Sequence, residues 1–215
     1  MDALLVDGAF LLLDSGLTAQ QGQDVVNSVL LARHVAAQTV AADAGGYANA
    51  LRQALGNIGW TSTDIATHDT PLTTGGTPLT SIAGEMVKIA SADLVDRLVA
   101  EVSALERAGP AIRRAWAAQS NQTPARSLLL IATLNNDVPV LVYDYNELAP
   151  AEHATGYPWS ALTDPGTLSQ FSGSAVMNRM VFTTAFSSAL ATKVAPMRST
   201  AVVPLPEADV ERKSR

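Results

Sequence analysis

The stretch from Leu79 to Arg107 constrains this chain more than any other. Ile82, Met86, Ile89, Leu94, Leu98, Val102 and Leu105 recur three to five positions apart with charges between them. That spacing places apolar side chains on one side of a helix. So long a stripe has to be buried, and the rest of the chain must supply its cover. Ser91 and Asp93 are placed to cap a break inside it, and Gly109-Pro110 ends it. Ile112 to Gln119 then reads as a short further helix.

Two more helices are expected upstream. Thr18-Ala19-Gln20-Gln21 has the form of a capping box, and Val25, Val29, Ala36 and Val40 follow at helical spacing until Gly45-Gly46. Tyr47, Ala50, Leu51, Ala54 and Leu55 form a shorter repeat that stops near Gly56. Hydrophobic residues make up 47% of the chain but aromatics only 5%. With alanine so common, helices can approach closely around a few large anchors.

The clearest β signal is Ser127 to Tyr145. Leu128–Leu134 and Val138–Tyr143 flank Asn135-Asn136-Asp137, residues that tolerate the positive φ of a hairpin turn. Pro139 lacks a ladder N–H, which suits an edge or a bulge. Trp60 to Thr70 is Thr-rich and loosely alternating, as in a strand. Residues 70–78 form a loop, where any internal boundary would fall. Residues 146–167 are also read as loop, and Ser172-Gly173-Ser174 as the cap of a last helix over 176–195 that Pro196 ends. The expectation is an α+β fold: one helix-rich domain over 1–198, packed on a small antiparallel sheet centred on the 127–145 hairpin. A tail over 199–215 carries Val202, Val203 and Leu205 before a polar end.

Several function classes lose support. The net charge of −6 disfavours nucleic acid. The absence of cysteine removes disulfides, thiolate catalysis and cysteine-bound metals together. His34, His68 and His153 are far apart and form no metal-binding pair. No nucleophile elbow, phosphate loop or dinucleotide fingerprint is present. No catalytic residue, cofactor or metal is therefore expected. Asp2, Asp7 and Asp14 interrupt any secretory signal, and no window approaches the roughly 20 apolar residues that span a bilayer. The chain reads as soluble and made in the cytoplasm, with non-classical export left open.

One electrostatic feature stands out. Residues 127–172 hold Asp137, Asp144, Glu147, Glu152 and Asp164 without a lysine or arginine; residues 173–206 hold Arg179, Lys193 and Arg198 without an acid. An EF-hand from Asp144 fails because Ala149 and Thr155 stand where glycine and glutamate are required. Opposite patches on one molecule can pair within the chain or between copies. The leading expectation is thus a non-enzymatic, self-assembling or interaction protein, a subunit of a homo-oligomer or larger bacterial particle. Arg179, Lys193 or Arg198 of one copy would meet Asp144, Glu147 or Glu152 of the next, with Val202, Val203 and Leu205 supplying apolar contact. Two alternatives remain: a membrane-active, toxin-like protein using the 176–195 segment, and an enzyme with a scattered site around Asp144–Asp164.

Overall fold

The computed structural model describes residues 2–39, 44–120, 125–149 and 157–206. Its centre is a seven-stranded mixed sheet in the order β3-β6-β5-β4-β2-β1-β7. The strands are β1 (Asp2–Val6), β2 (Ala9–Leu13), β3 (Trp60–Leu72), β4 (Ala125–Asn135), β5 (Val138–Ala149), β6 (Gly166–Met177) and β7 (Val202–Pro204). Only β2 and β4 run parallel; the other pairs are antiparallel. The fold is α+β as expected, but the sheet is not the small hairpin foreseen from the sequence.

That correction has two local causes. In β2 every residue from Ala9 to Leu13 is buried, so a sheet covered on both faces erases the polar–apolar alternation that marks a strand. β6, by its Gly-Thr and Ser-Gly-Ser composition, suggests a loop end and a helix start. It is instead a twelve-residue strand paired along nearly its whole length with both β3 and β5. The glycine at 173 has a packing reason. A Cβ there would lie 2.5 Å from the Tyr143 hydroxyl on the neighbouring strand, so the tyrosine ring occupies the space a side chain would need.

Helices cover both faces. On one side α1 (Ala19–Thr39), α2 (Ala44–Gly56) and α7 (Ser187–Ala201) pack on Leu11, Leu128, Leu130, Leu141, Tyr143, Tyr145, Ala175 and Met177. On the other, α3 (Pro78–Met86), α4 (Ala92–Ala104) and α5 (Pro110–Ser120) pack on Phe10, Leu12, Leu129, Ile131 and Val142. The capping box at the start of α1 is formed in both directions. Gln21 N donates to Thr18 Oγ1 at 3.2 Å and Thr18 N donates to Gln21 Oε1 at 2.9 Å. The β4–β5 turn uses positive φ at Asn136 and Asp137 (49° and 61°). Pro139 pairs with Leu134 on β4, while the β5–β6 ladder begins at Val140. The proline therefore sits where no second neighbour needs its N–H. The last helical region is α6 (Arg179–Val181), a π-helical turn over Phe182–Phe186, and α7, which continues through Pro196 rather than stopping there.

The stripe from Ile82 to Leu105 is split into α3, α4 and a 3₁₀ turn, with the break at Ser91. Ile82, Met86, Leu98, Val102 and Leu105 are buried against the sheet. Leu98 is completely inaccessible. Leu98→Ala should therefore cost about 2–5 kcal/mol in urea unfolding, and a loss under about 1 kcal/mol would refute this packing.

Candidate functional site

Six polar side chains project from β4, β5 and β6 on the face covered by α3–α5, where an apolar surface would be the default. They are Ser127, Asp144, Asn146, Gln170, Ser172 and Ser174, all buried. Register aligns them. Ser127 stands opposite Asn146, which stands opposite Gln170; Asp144 stands opposite Ser172. Because side chains alternate between faces, these residues share one face with Val142 and Leu148. The intervening Tyr143, Tyr145, Phe171 and Ala175 face α1 and α2.

The network is partly closed. Thr70 Oγ1 donates to Gln170 Oε1 at 3.1 Å, and Gln170 Nε2 donates to Asp144 Oδ2 at 3.3 Å. Asn146 Nδ2 donates to the Asp144 carbonyl at 3.1 Å. Ser127 Oγ donates to the Tyr157 hydroxyl at 3.1 Å, and Trp116 Nε1 holds the Tyr157 carbonyl at 3.2 Å. Asp144 Oδ1 and Asn146 Oδ1 are buried with no hydrogen-bond partner among the described residues. Two orphaned acceptors on one strand, two residues apart, call for a donor. A protonated Asp144 supplies one.

Electrostatics favour that state. Burial pushes the Asp144 carboxyl well above the ordinary aspartate range; the Gln170 amide opposes the shift and the charge of Glu85 adds to it. Burial likewise raises the Tyr157 and Tyr145 phenols. At the rim His68 Nε2 lies 3.2 Å from Glu85 Oε2, which ties β3 to α3, and Lys88 Nζ approaches Glu85 Oε1 at 2.6 Å. The arrangement is a strip of neutral donors and acceptors. Among the described residues no cluster of three metal-ligating side chains forms.

The residues singled out by charge are dispersed. Asp144 lies in the core with no exposed surface. Glu147 accepts from Arg126 Nε at 3.0 Å across the β4–β5 ladder. Glu152 lies outside the described residues. Arg179 and Lys193 are exposed, whereas Arg198 Nη1 donates to Asn27 Oδ1 at 2.7 Å. Val202 and Val203 pair with Val6 and Leu5 of β1, and Leu205 N donates to the Ala3 carbonyl at 2.9 Å. These tail residues therefore complete the chain's own sheet. The polar strip was missed because the sequence marks Gln170, Ser172 and Ser174 only as polar, and their burial depends on three strands and a helical layer meeting.

The folded state holds the Asp144 proton more tightly than the unfolded chain, so protonation favours folding. That contribution is complete below the ordinary aspartate value of about 4 and is lost as pH rises towards the raised folded value. Asp144→Asn should therefore gain in melting temperature relative to the parent as pH rises above about 4, with the difference shrinking as pH falls back towards about 4 and constant below it. A pH-independent difference would contradict a neutral buried carboxyl.

No protein-family profile matches the sequence, and no curated protein does. Among solved structures the chain is similar to a delta-endotoxin at 12% identity and a TM-score of 0.46, covering 78% of each chain. It is also similar to the Evf virulence factor at 12% identity and a TM-score of 0.32, covering 89% of this chain and 79% of that one.

Proposed function

We propose that this chain is a membrane-active protein whose helices cover an amphipathic sheet until it meets a lipid surface. The observation that carries this reading is the opposed character of the two faces of β5 and β6. One bears Asp144, Asn146, Gln170, Ser172 and Ser174; the other bears Leu141, Tyr143, Tyr145, Phe171 and Ala175. A strand that meets lipid on one side and water on the other needs this alternation over about 9–11 residues. β5 and β6 are each 12 residues long, and their polar positions, Asp144 and Asn146 on one and Gln170, Ser172 and Ser174 on the other, are flanked on the same face by Val142, Leu148 and Leu168. A sheet buried on both faces for its whole working life gains nothing from polar groups beneath a helical layer, least of all orphaned ones.

The agent is the sheet and not the 176–195 segment. That segment begins inside β6, and α7 buries only Leu190 and Val194. No helix among the described residues is long and apolar enough to cross a membrane. The polar strip is confined to the β5–β6 side, since Leu129 and Ile131 on β4 and Phe10 and Leu12 on β2 are apolar on the same face. The section able to change partners is thus the one under α3.

Dye release from vesicles of neutral and of anionic lipid tests the reading. The chain should release dye from at least one composition, and Ser172→Val should reduce that release while leaving the melting temperature near the parent's. An absence of both release and vesicle co-sedimentation, from mildly acid to mildly alkaline pH, would overturn it.

A further inference from the structure

The two edges of the sheet are treated differently. At one end β7 contributes three residues. At the other, β3 runs for thirteen residues, and every one between Trp60 and Leu72 is exposed or only part-buried. β3 pairs with β6 alone, so its outer edge offers a row of backbone donors and acceptors without a strand beside it. A β-bulge between Thr63 and Ala66, with Asp64 at a φ of 52°, interrupts the register. From Ala66 to Leu72 the strand is regular.

Beside this edge, on the α1–α2 face, lies a groove of about 140 Å³ lined by Ala48, Asn49, Arg52, Ile65, Thr67 and Phe171. Ile65 is 53% exposed, uncommon for a large aliphatic residue. Arg52 Nη2 donates to Asn49 Oδ1 at 2.8 Å, and no carboxylate among the described residues lies within ion-pair distance of it. A partner here should be extended, should pair with β3 and should bring a carboxylate to Arg52.

We infer that the partner is a second copy of the same strand. An antiparallel β3–β3 pair about a twofold axis normal to the sheet continues the sheet, with like faces on the same side. Only a register centred on a residue keeps the pleats in phase. Centred on Thr67, it sets Asp69 of one copy across from Ile65 of the other. Asp69 stands opposite Ser169 two residues from the Thr67–Phe171 pair, so it shares the groove's face. Its carboxylate accepts from Ser169 Oγ at 2.6 Å and the residue is exposed. The twofold axis makes each contact twice: Asp69 of each copy meets Arg52 of the other, and each Ile65 gains cover. Asp64 takes no part, since its carboxylate turns to Ser174 Oγ on the opposite face of the sheet from the groove. The arrangement does not depend on any membrane activity.

Sedimentation equilibrium of the intact chain tests the inference, alongside melting curves as a control for folding. The parent should form a dimer. Arg52→Asp and Asp69→Arg should each raise the dimer Kd about tenfold or more, because each puts like charges together at two places. The two changes combined should restore association towards the parent value. Arg52→Ala, which removes the charge without reversing it, should weaken the dimer less than Arg52→Asp. A parent that stays monomeric at high concentration overturns the proposal, as does a dimer indifferent to both reversals. Vesicle release is scored separately, so loss of the dimer and loss of membrane activity are told apart.

Discussion

β5 is hydrogen-bonded along both edges and covered on both faces, and the rest of the molecule depends on that enclosure. A strand so placed has no route to water for its polar side chains, so each must find its partner inside the protein. Asp144 illustrates the consequence. Its carboxyl has one amide donor, an orphaned second oxygen and the negative Glu85 close enough to disfavour ionisation. The proton is therefore held to a higher pH than on an ordinary aspartate, because burial disfavours the charged form. While it holds that proton, the acid behaves like the amides and hydroxyls around it.

The sequence made some of this legible and concealed the rest for identifiable reasons. Signals carried within a few residues were readable: the reciprocal bonds of Thr18 and Gln21, the positive-φ pair at Asn136-Asp137, and the apolar stripe from Ile82 to Leu105. Signals that arise only when distant strands meet were not. Ser172-Gly173-Ser174 reads as a helix cap, yet Gly173 lies within a strand and Tyr143, thirty residues earlier, lies across it. Ala9–Leu13 carries no polar–apolar alternation to mark it as a strand, because β2 is buried on both faces.

The apparent split of charge has a similar origin. The acid-rich stretch seemed to lack basic partners because it was bounded at Ser127, and Arg126, one residue earlier, is the cross-strand partner of Glu147. The basic stretch is partly used by Asn27 on α1, an uncharged residue that no count of acids would reveal. Linear charge windows test proximity along the chain. In an antiparallel ladder, partners approach one another from opposite ends of such a window. Asp144 stands out in sequence as an acid available to a neighbouring copy, whereas the fold buries it completely and its chemistry comes from its neighbours in space.

The distribution of polar groups links the covered strip to the open edge. Threonine and serine recur on β3 and β6, where they satisfy the β-propensity of a half-buried surface and bond across strands, as Thr63 does with Ser174 and Thr70 with Gln170. On β6 they are held under α3; on β3 they continue outward to a margin that no helix covers. The polar strip therefore runs from the core to the periphery through Gln170, Thr70 and His68. His68 meets α3 at Glu85, so this helix is fastened at the rim by a contact open to solvent. Inward of that contact Ile82 and Met86 of the helix are fully buried, over a face that mixes Val142, Leu148 and Leu168 with Asp144, Asn146 and Gln170. The helix thus covers a mixed polar and apolar surface, and it lies beside the strand whose outer edge is free.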